Sequence, residues 1–247
     1  QRLVKEAYAD DDLRAHVWLT PANSINLGAL LPQSFFYFLT ASLGPLEAGR
    51  HEAGSGGPVI AVPSGNFGNL TAGLIAKRIG LPVGHFVAAT NVNDAVPEYL
   101  RSGCYTPRPP VRTVANAMDV GAPSNLERMQ FLYGGSVDAL RRDVTGFAYD
   151  DPRIVAEIGR VYREHGYLLD PHGAIAWLAL NADLVAHPAA HGVFVATAHP
   201  AKFPEVVEPA IGQPVPLPPV LAEAITRPRH AVSMDVDYPT LAAFLRQ

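Results

Sequence analysis

One segment restricts the fold of this chain more than any other. Pro58-Val-Ile-Ala-Val62 is a short β-branched run of the kind that fills a parallel strand buried on both faces. It passes at once into a turn, Pro63-Ser-Gly-Asn-Phe-Gly-Asn69, and then into a stretch where Leu70, Leu74, Ile75 and Ile79 fall on one helical face. Gly80 and Pro82 stop that helix, and Val83 to Ala89 is a second apolar run. Residues 58–89 are therefore a strand, helix, strand unit, and such a unit closes with a right-handed crossover onto a parallel sheet. The sequence predicts an α/β fold, an open parallel sheet with flanking helices.

The rest of the chain is consistent with that frame. Residues 1–14 read as a short charged helix. Ser24 to Leu43 is nearly apolar all round, as in a helix buried on most of its faces, with Pro32 expected to kink or restart it. Gly54 to Gly57 read as a flexible loop. Further helical patterns lie near 93–102, 124–133, 152–165, 172–184 and 237–246, and Ser124-Asn-Leu-Glu127 has the form of a capping box. A third strand is expected over Val193 to Ala198, with a helix after Phe203 and a proline-rich connector from Pro214 to Pro219.

Composition removes several classes of function. With 247 residues and 48% apolar side chains the chain can bury a substantial core. Nineteen basic against 23 acidic residues give a net charge of −4 with no basic block, which argues against nucleic acid as a partner. Apolar stretches break within about a dozen residues, short of the roughly 20 that cross a bilayer, so no membrane partner is expected. Cys104 is the single cysteine and forms neither an internal disulfide nor a cysteine metal site, which suits a reducing cytoplasm. No histidine spacing suggests a metal. Ser64 is not in a nucleophile elbow, and His172 and His199 stand alone.

Two places remain where chemistry is expected. The turn at Gly65, Asn66, Phe67, Gly68 and Asn69 opens a helix, where backbone N–H groups and the helix dipole favour an anion. It has neither the Lys-Ser/Thr end of a nucleotide loop nor the three-glycine spacing of a dinucleotide site, so it reads either as a phosphate cradle or as an ordinary turn with Asn69 as helix cap. Thr197-Ala-His-Pro-Ala-Lys-Phe203 follows an apolar strand, where ligands bind in open parallel sheets. There Thr197 reads as a hydrogen-bonding group for a ligand or as a plain strand end, and Lys202 as a ligand contact or a solvated side chain.

Taken together, Asn23-Ser-Ile-Asn26, Val62-Pro-Ser-Gly-Asn-Phe-Gly-Asn69, Ala88-Ala-Thr-Asn-Val-Asn-Asp94, Asn116-Ala-Met-Asp119 and the Thr197 to Phe203 segment closely resemble the threonine synthase family, in the family's order. The resemblance implies the type II pyridoxal-phosphate fold and conversion of O-phospho-L-homoserine and water to L-threonine and phosphate in the cytoplasm. It implies that Gly65, Asn66, Phe67, Gly68 and Asn69 hold the cofactor phosphate and that the Thr197 hydroxyl meets the pyridine nitrogen. Asn23, Ser24 and Asn26 would face the small-molecule substrate, and Lys202 would meet its phosphate.

Two departures accompany the resemblance. Ala29 stands where family members often carry an arginine. The Schiff-base lysine belongs to a motif that nothing here matches: the chain has three lysines, Lys5, Lys77 and Lys202, beside 16 arginines. Lys77 lies eight residues beyond Asn69, about 12 Å up the helix from the turn. The expectation is a C-terminal portion of such an enzyme, incomplete at its N-terminus and inactive alone. Residues 1–16 would end a preceding smaller domain or connecting helix, and 17–247 would be the C-terminal part of the large cofactor-binding domain. Other type II lyases, and a non-catalytic ligand-binding or partner-binding remnant of the fold, are the alternatives.

Overall fold

A computed structural model describes residues 2–20, 26–43, 57–228 and 230–247. In chain order its elements are α1 (Arg2–Ala9), α2 (Asp11–His16), α3 (Leu27–Leu43), β1 (Val59–Pro63), α4 (Gly68–Ile79), β2 (His85–Thr90), α5 (Ala95–Ser102), α6 (Leu126–Leu132), α7 (Val137–Arg141) and β3 (Val144–Ala148). They continue with α8 (Asp151–His165), α9 (Pro171–Leu184), β4 (Gly192–Phe194), α10 (Pro204–Ile211), α11 (Pro219–Thr226) and α12 (Tyr238–Leu245).

The four strands form one parallel sheet in the order β3-β2-β1-β4. Alternation along the central strands sorts side chains to two cores. Ile60, Val62, Phe86 and Ala88 face α3 to α7, whereas Val59, Ala61, Val87 and Ala89 face α8, α9 and α10. Burial on both faces is why β1 reads as an unbroken apolar run. α4 ends where Gly80 adopts φ 116°, a left-handed conformation that costs glycine little.

Five expectations need correction. The opening helix is two, because Asp10 takes an extended conformation and its carboxylate caps Leu13 N at the start of α2. β3 was not foreseen: Thr145, Gly146 and Phe147 are only half buried, which breaks the apolar run, and Gly146 packs so near Pro97 that a Cβ would lie 2.8 Å from its Cα. β4 is shorter than Val193 to Ala198, its pairing with β1 ending after Val195 N donates to Ala61 O. Ser124 does not cap α6, whose N-cap is Asn125, because its hydroxyl is bonded elsewhere. α3 is not buried on most faces. Leu30, Ser34 and Tyr37 are enclosed, while Leu27, Leu31, Phe35 and Phe38 are exposed. Pro32 lies inside the helix without ending it. The loop residues Gly54, Ser55 and Gly56 fall outside the described residues.

Three features away from the site stabilise this frame. At the amino end of the sheet, Asp183 of α9 is 2% exposed and accepts from Thr145 Oγ1 at 2.6 Å, with His187 Nδ1 at 2.9 Å and His85 Nε2 at 3.5 Å. Burial pushes its pKa up, but bonds from His85 and Thr145 outweigh that and hold the carboxyl below its ordinary value. Nearby, Lys77 Nζ donates to Asp143 (2.8 Å) and to Gly84 O (2.8 Å), and Tyr133 OH donates to Asp143 (2.7 Å). Finally, α1, α2 and α12 clasp one another: Tyr238 OH donates to Asp10 (2.5 Å) and Arg246 to Asp12 (2.7 Å), around buried Ala7, Leu13 and Ala242. Among the described residues no helix is long and apolar enough to cross a membrane.

Candidate functional site

The chain leaves the carboxyl end of β1 toward β2 on one side and has β4 on the other. Such a reversal opens a crevice beyond the strand ends, and the turn at 64–69 occupies it. Ser64 N donates to Ala89 O, which carries the sheet ladder one residue into the turn. Ser64 Oγ donates to Asn69 Oδ1 (2.8 Å), and Asn69 Nδ2 returns to Pro63 O (2.8 Å). One asparagine side chain thus closes the turn from both ends.

Three further supports fix its shape. Phe67 has φ 62°, the one positive φ outside glycine among the described residues, and its ring is buried in the core. A strained backbone of this kind persists only where its surroundings hold it. Here the ring anchors it, and Phe67 O accepts from both Thr71 N (3.0 Å) and Thr71 Oγ1 (2.7 Å). Gly65 lies against the 116–118 turn, where a Cβ would sit 2.7 Å from Met118 Cα. Asn66 Oδ1 accepts from Ser124 N (2.7 Å) and Ser124 Oγ (3.0 Å), and Asn66 O accepts from Asn125 Nδ2 (2.9 Å). From behind, Tyr37 of α3 donates its hydroxyl to Asn69 O (2.8 Å); burial raises its pKa and keeps it a donor.

The Met118 wall is itself held. Asn91 donates to Thr113 Oγ1 (2.8 Å) and Asp119 Oδ1 (2.9 Å), Asp119 accepts from Thr113 N (3.1 Å), and Asn93 Oδ1 accepts from Val111 N (2.7 Å). Asn91 is fully enclosed, so its own bonds satisfy a group that water cannot reach. The Ala88 to Asp94 and Asn116 to Asp119 motifs therefore brace the turn.

What the turn offers is a helix start. Gly68 and Asn69 open α4, and N–H groups in a first turn have no helical carbonyl to meet. With the dipole of a 12-residue helix behind them, they suit an anion. Asn69 is not the helix cap: Phe67 holds that position, and the Asn69 side chain serves the turn.

β4 leads into the second motif. Ala61 pairs with Phe194, and Thr197 follows Phe194 by three residues, just as Ser64 follows Ala61, both beyond the last paired residues. Thr197 is exposed, and Lys202 is exposed at the end of the Pro200–Lys202 turn. His199 is a local brace, its Nδ1 accepting from Ala201 N (3.1 Å). His172 is buried, with Nδ1 2.6 Å from Asp170 Oδ2 and its ring 5.1 Å from that of Phe203. Asn26 starts α3, its Oδ1 accepting from Gly28 N (2.9 Å). Asn23 and Ser24 lie outside the described residues. Gly65 to Asn69 and Thr197 thus share one end of the sheet. The supports from Tyr37, Ser124 and Asn125 were not read from the sequence, where Ser124 and Asn125 belong to a capping-box pattern and Tyr37 to an apolar run.

Comparison with known proteins follows the same lines. Residues 174–245 match the family model "Threonine synthase, C-terminal". The chain is 42% identical to the threonine synthase of Escherichia coli over 98% of its own length and 54% of that protein's. The crystal structure of the Escherichia coli threonine synthase superposes with a TM-score of 0.89 at 40% identity, covering 99% of this chain and 55% of that one. A PLP-bound threonine synthase from Brucella melitensis superposes with a TM-score of 0.85 at 31% identity, over 100% and 56%. The chain spans about half the length of these relatives. The fold is the one they share, and the resemblance drawn from five motifs extends along the whole chain.

Proposed function

We propose that this chain is the C-terminal part of a threonine synthase, the enzyme that converts O-phospho-L-homoserine and water to L-threonine and phosphate. Its turn at Gly65 to Asn69 is the seat of the phosphate of pyridoxal phosphate. The observation that carries this reading is the braced turn at the switch point of the sheet, in a chain 42% identical to a threonine synthase.

The turn suits the cofactor on its own chemistry. A dianion is held by N–H groups of Gly68 and Asn69 and the dipole of α4, which supply positive potential without a lysine or arginine. Gly65 lets the backbone lie against the Met118 wall where any side chain would clash. When bound, the cofactor supplies the electron sink for breaking the carbon–oxygen bond. The Thr197 hydroxyl would hydrogen-bond the ring nitrogen of the cofactor without forcing a proton on it. Lys202 offers a cation to the substrate phosphate, with Asn23, Ser24 and Asn26 on the substrate side.

The Schiff-base lysine lies outside this chain. Lys77 is committed to Asp143 and Gly84 at the far end of α4, Lys5 lies on α1, and Lys202 belongs to the Thr197 motif. Residues 1–16 end a smaller domain or connecting helix, and 17–247 form the C-terminal part of the large domain. The substrate is a small phosphorylated amino acid, and the setting is cytoplasmic.

A fused chain tests the reading. The part of the Escherichia coli enzyme outside its match is joined ahead of this sequence, and phosphate and threonine released from O-phospho-L-homoserine are measured. The fused chain is expected to form threonine, the chain alone none, and Gly65→Ala in the fused chain to lower bound pyridoxal phosphate at least tenfold. Threonine formation by the chain alone, or unchanged cofactor content in Gly65→Ala, would overturn it.

A further inference from the structure

α3 has two apolar faces, and among the described residues only one of them is covered. Leu30, Ser34 and Tyr37 face α4 and the core, Leu30 and Tyr37 at 0% and 2% exposure. Flanking that face, Leu27, Leu31 and Phe35 recur every four residues, as one ridge of a helix, at 50%, 43% and 69% exposure, with Phe38 beside them. Side chains of this size on one ridge form a contiguous apolar surface of the kind that marks an interaction site.

The chemistry of the surface narrows its occupant. No Asp, Glu, Lys or Arg occurs between Arg14 and Glu47, so the ridge has no charged neighbours in sequence on either side. Depletion of charge is the mark of an interface core, and permanent interfaces resemble a domain core cut in two. A charged or transient partner does not fit it. The length of polypeptide outside the structure supplies an occupant that does. Relatives that match 98% and 99% of this chain extend to nearly twice its length, and a match to a family's C-terminal model puts the remainder ahead of it.

We infer that the Leu27, Leu31, Phe35 and Phe38 face of α3 is the seat of the N-terminal part of the same enzyme. This inference rests on the threonine synthase reading and deepens it by naming the partner of the site. α3 then works as a two-sided wedge. Its outer ridge meets the N-terminal part, while from its inner face Tyr37 reaches the phosphate turn through Asn69 O. Docking on the flank of the helix is thereby mechanically joined to the turn that its inner face supports.

Thiol accessibility tests this in the chain alone and in the fused chain described above, both with Cys104→Ser. Maleimide labelling of Phe35→Cys and of Leu31→Cys is expected to slow at least tenfold in the fused chain relative to the chain alone. Val185→Cys, exposed at the far end of α9, is expected to label at one rate in both, and Leu30→Cys on the inner face to stay slow in both. Equal rates for Phe35→Cys in the two proteins would overturn the inference. So would protection in the chain alone that grows with its concentration, since the occupant would then be a second copy. Protection without threonine formation would keep the docking face and remove the enzymatic reading. Threonine formation with Phe35→Cys unprotected would do the reverse.

Discussion

The two motifs that follow the carboxyl ends of β1 and β4 are built differently. The Ser64 to Asn69 turn is braced by Ser124 and Asn125, by Tyr37 and by the Met118 wall, and its Phe67 is buried. Thr197 and Lys202, one strand away, stand exposed on an edge. The difference teaches where each motif gets its rigidity. The turn is braced by contacts within the chain, whereas the Thr197 side chain stands exposed.

Substitutions break that comparison in order of size. Gly65→Ala drives a Cβ into Met118 Cα and should cost about 2 kcal/mol in a urea unfolding experiment. A loss below half of that would mean the wall is mobile and the cradle not rigid. Asn66→Ala removes the acceptor of two donors from Ser124 and should cost about 1–2 kcal/mol by the same measurement.

The next effect lies at the other end of the sheet and separates stability from the site. Asp183 has a folded pKa below its unfolded one, so it contributes stability above the unfolded value, and that contribution is lost as pH falls through the folded value. Asp183→Asn should lower stability at pH 7 by about 1 kcal/mol and flatten the acid limb of a melting profile, with pyridoxal-phosphate affinity of the fused chain unmoved. The smallest change is expected at Thr197→Val, within about 0.5 kcal/mol of the parent because the side chain is exposed. In the fused chain the same substitution should alter the absorbance of the bound cofactor. A large stability loss from Thr197→Val would erase the contrast between the two motifs.

How much of this was legible beforehand depended on the range of the interactions. β1, the turn and α4 could be read because their signals are local: a run buried on both faces, a glycine-bearing turn, a helical stripe and a stop at Gly80. β3 was hidden because Thr145, Gly146 and Phe147 are half buried. Ser124 misled because its partner, Asn66, lies 58 residues away and outbids the local cap. Tyr37 sits within an apolar run and gave no hint that its hydroxyl holds the turn. α3 is the reverse case: a pattern that asks for burial all round describes a helix with one ridge left exposed among the described residues.

The clasp of α1 and α2 with α12 brings the two ends of the chain together, through Tyr238 on Asp10 and Arg246 on Asp12. Mechanically the stretch between these helices is then a closed loop and not a line. Tension applied between residues 2 and 247 would be borne first by three short helices, and the sheet with its cradle would carry no force until that clasp had opened.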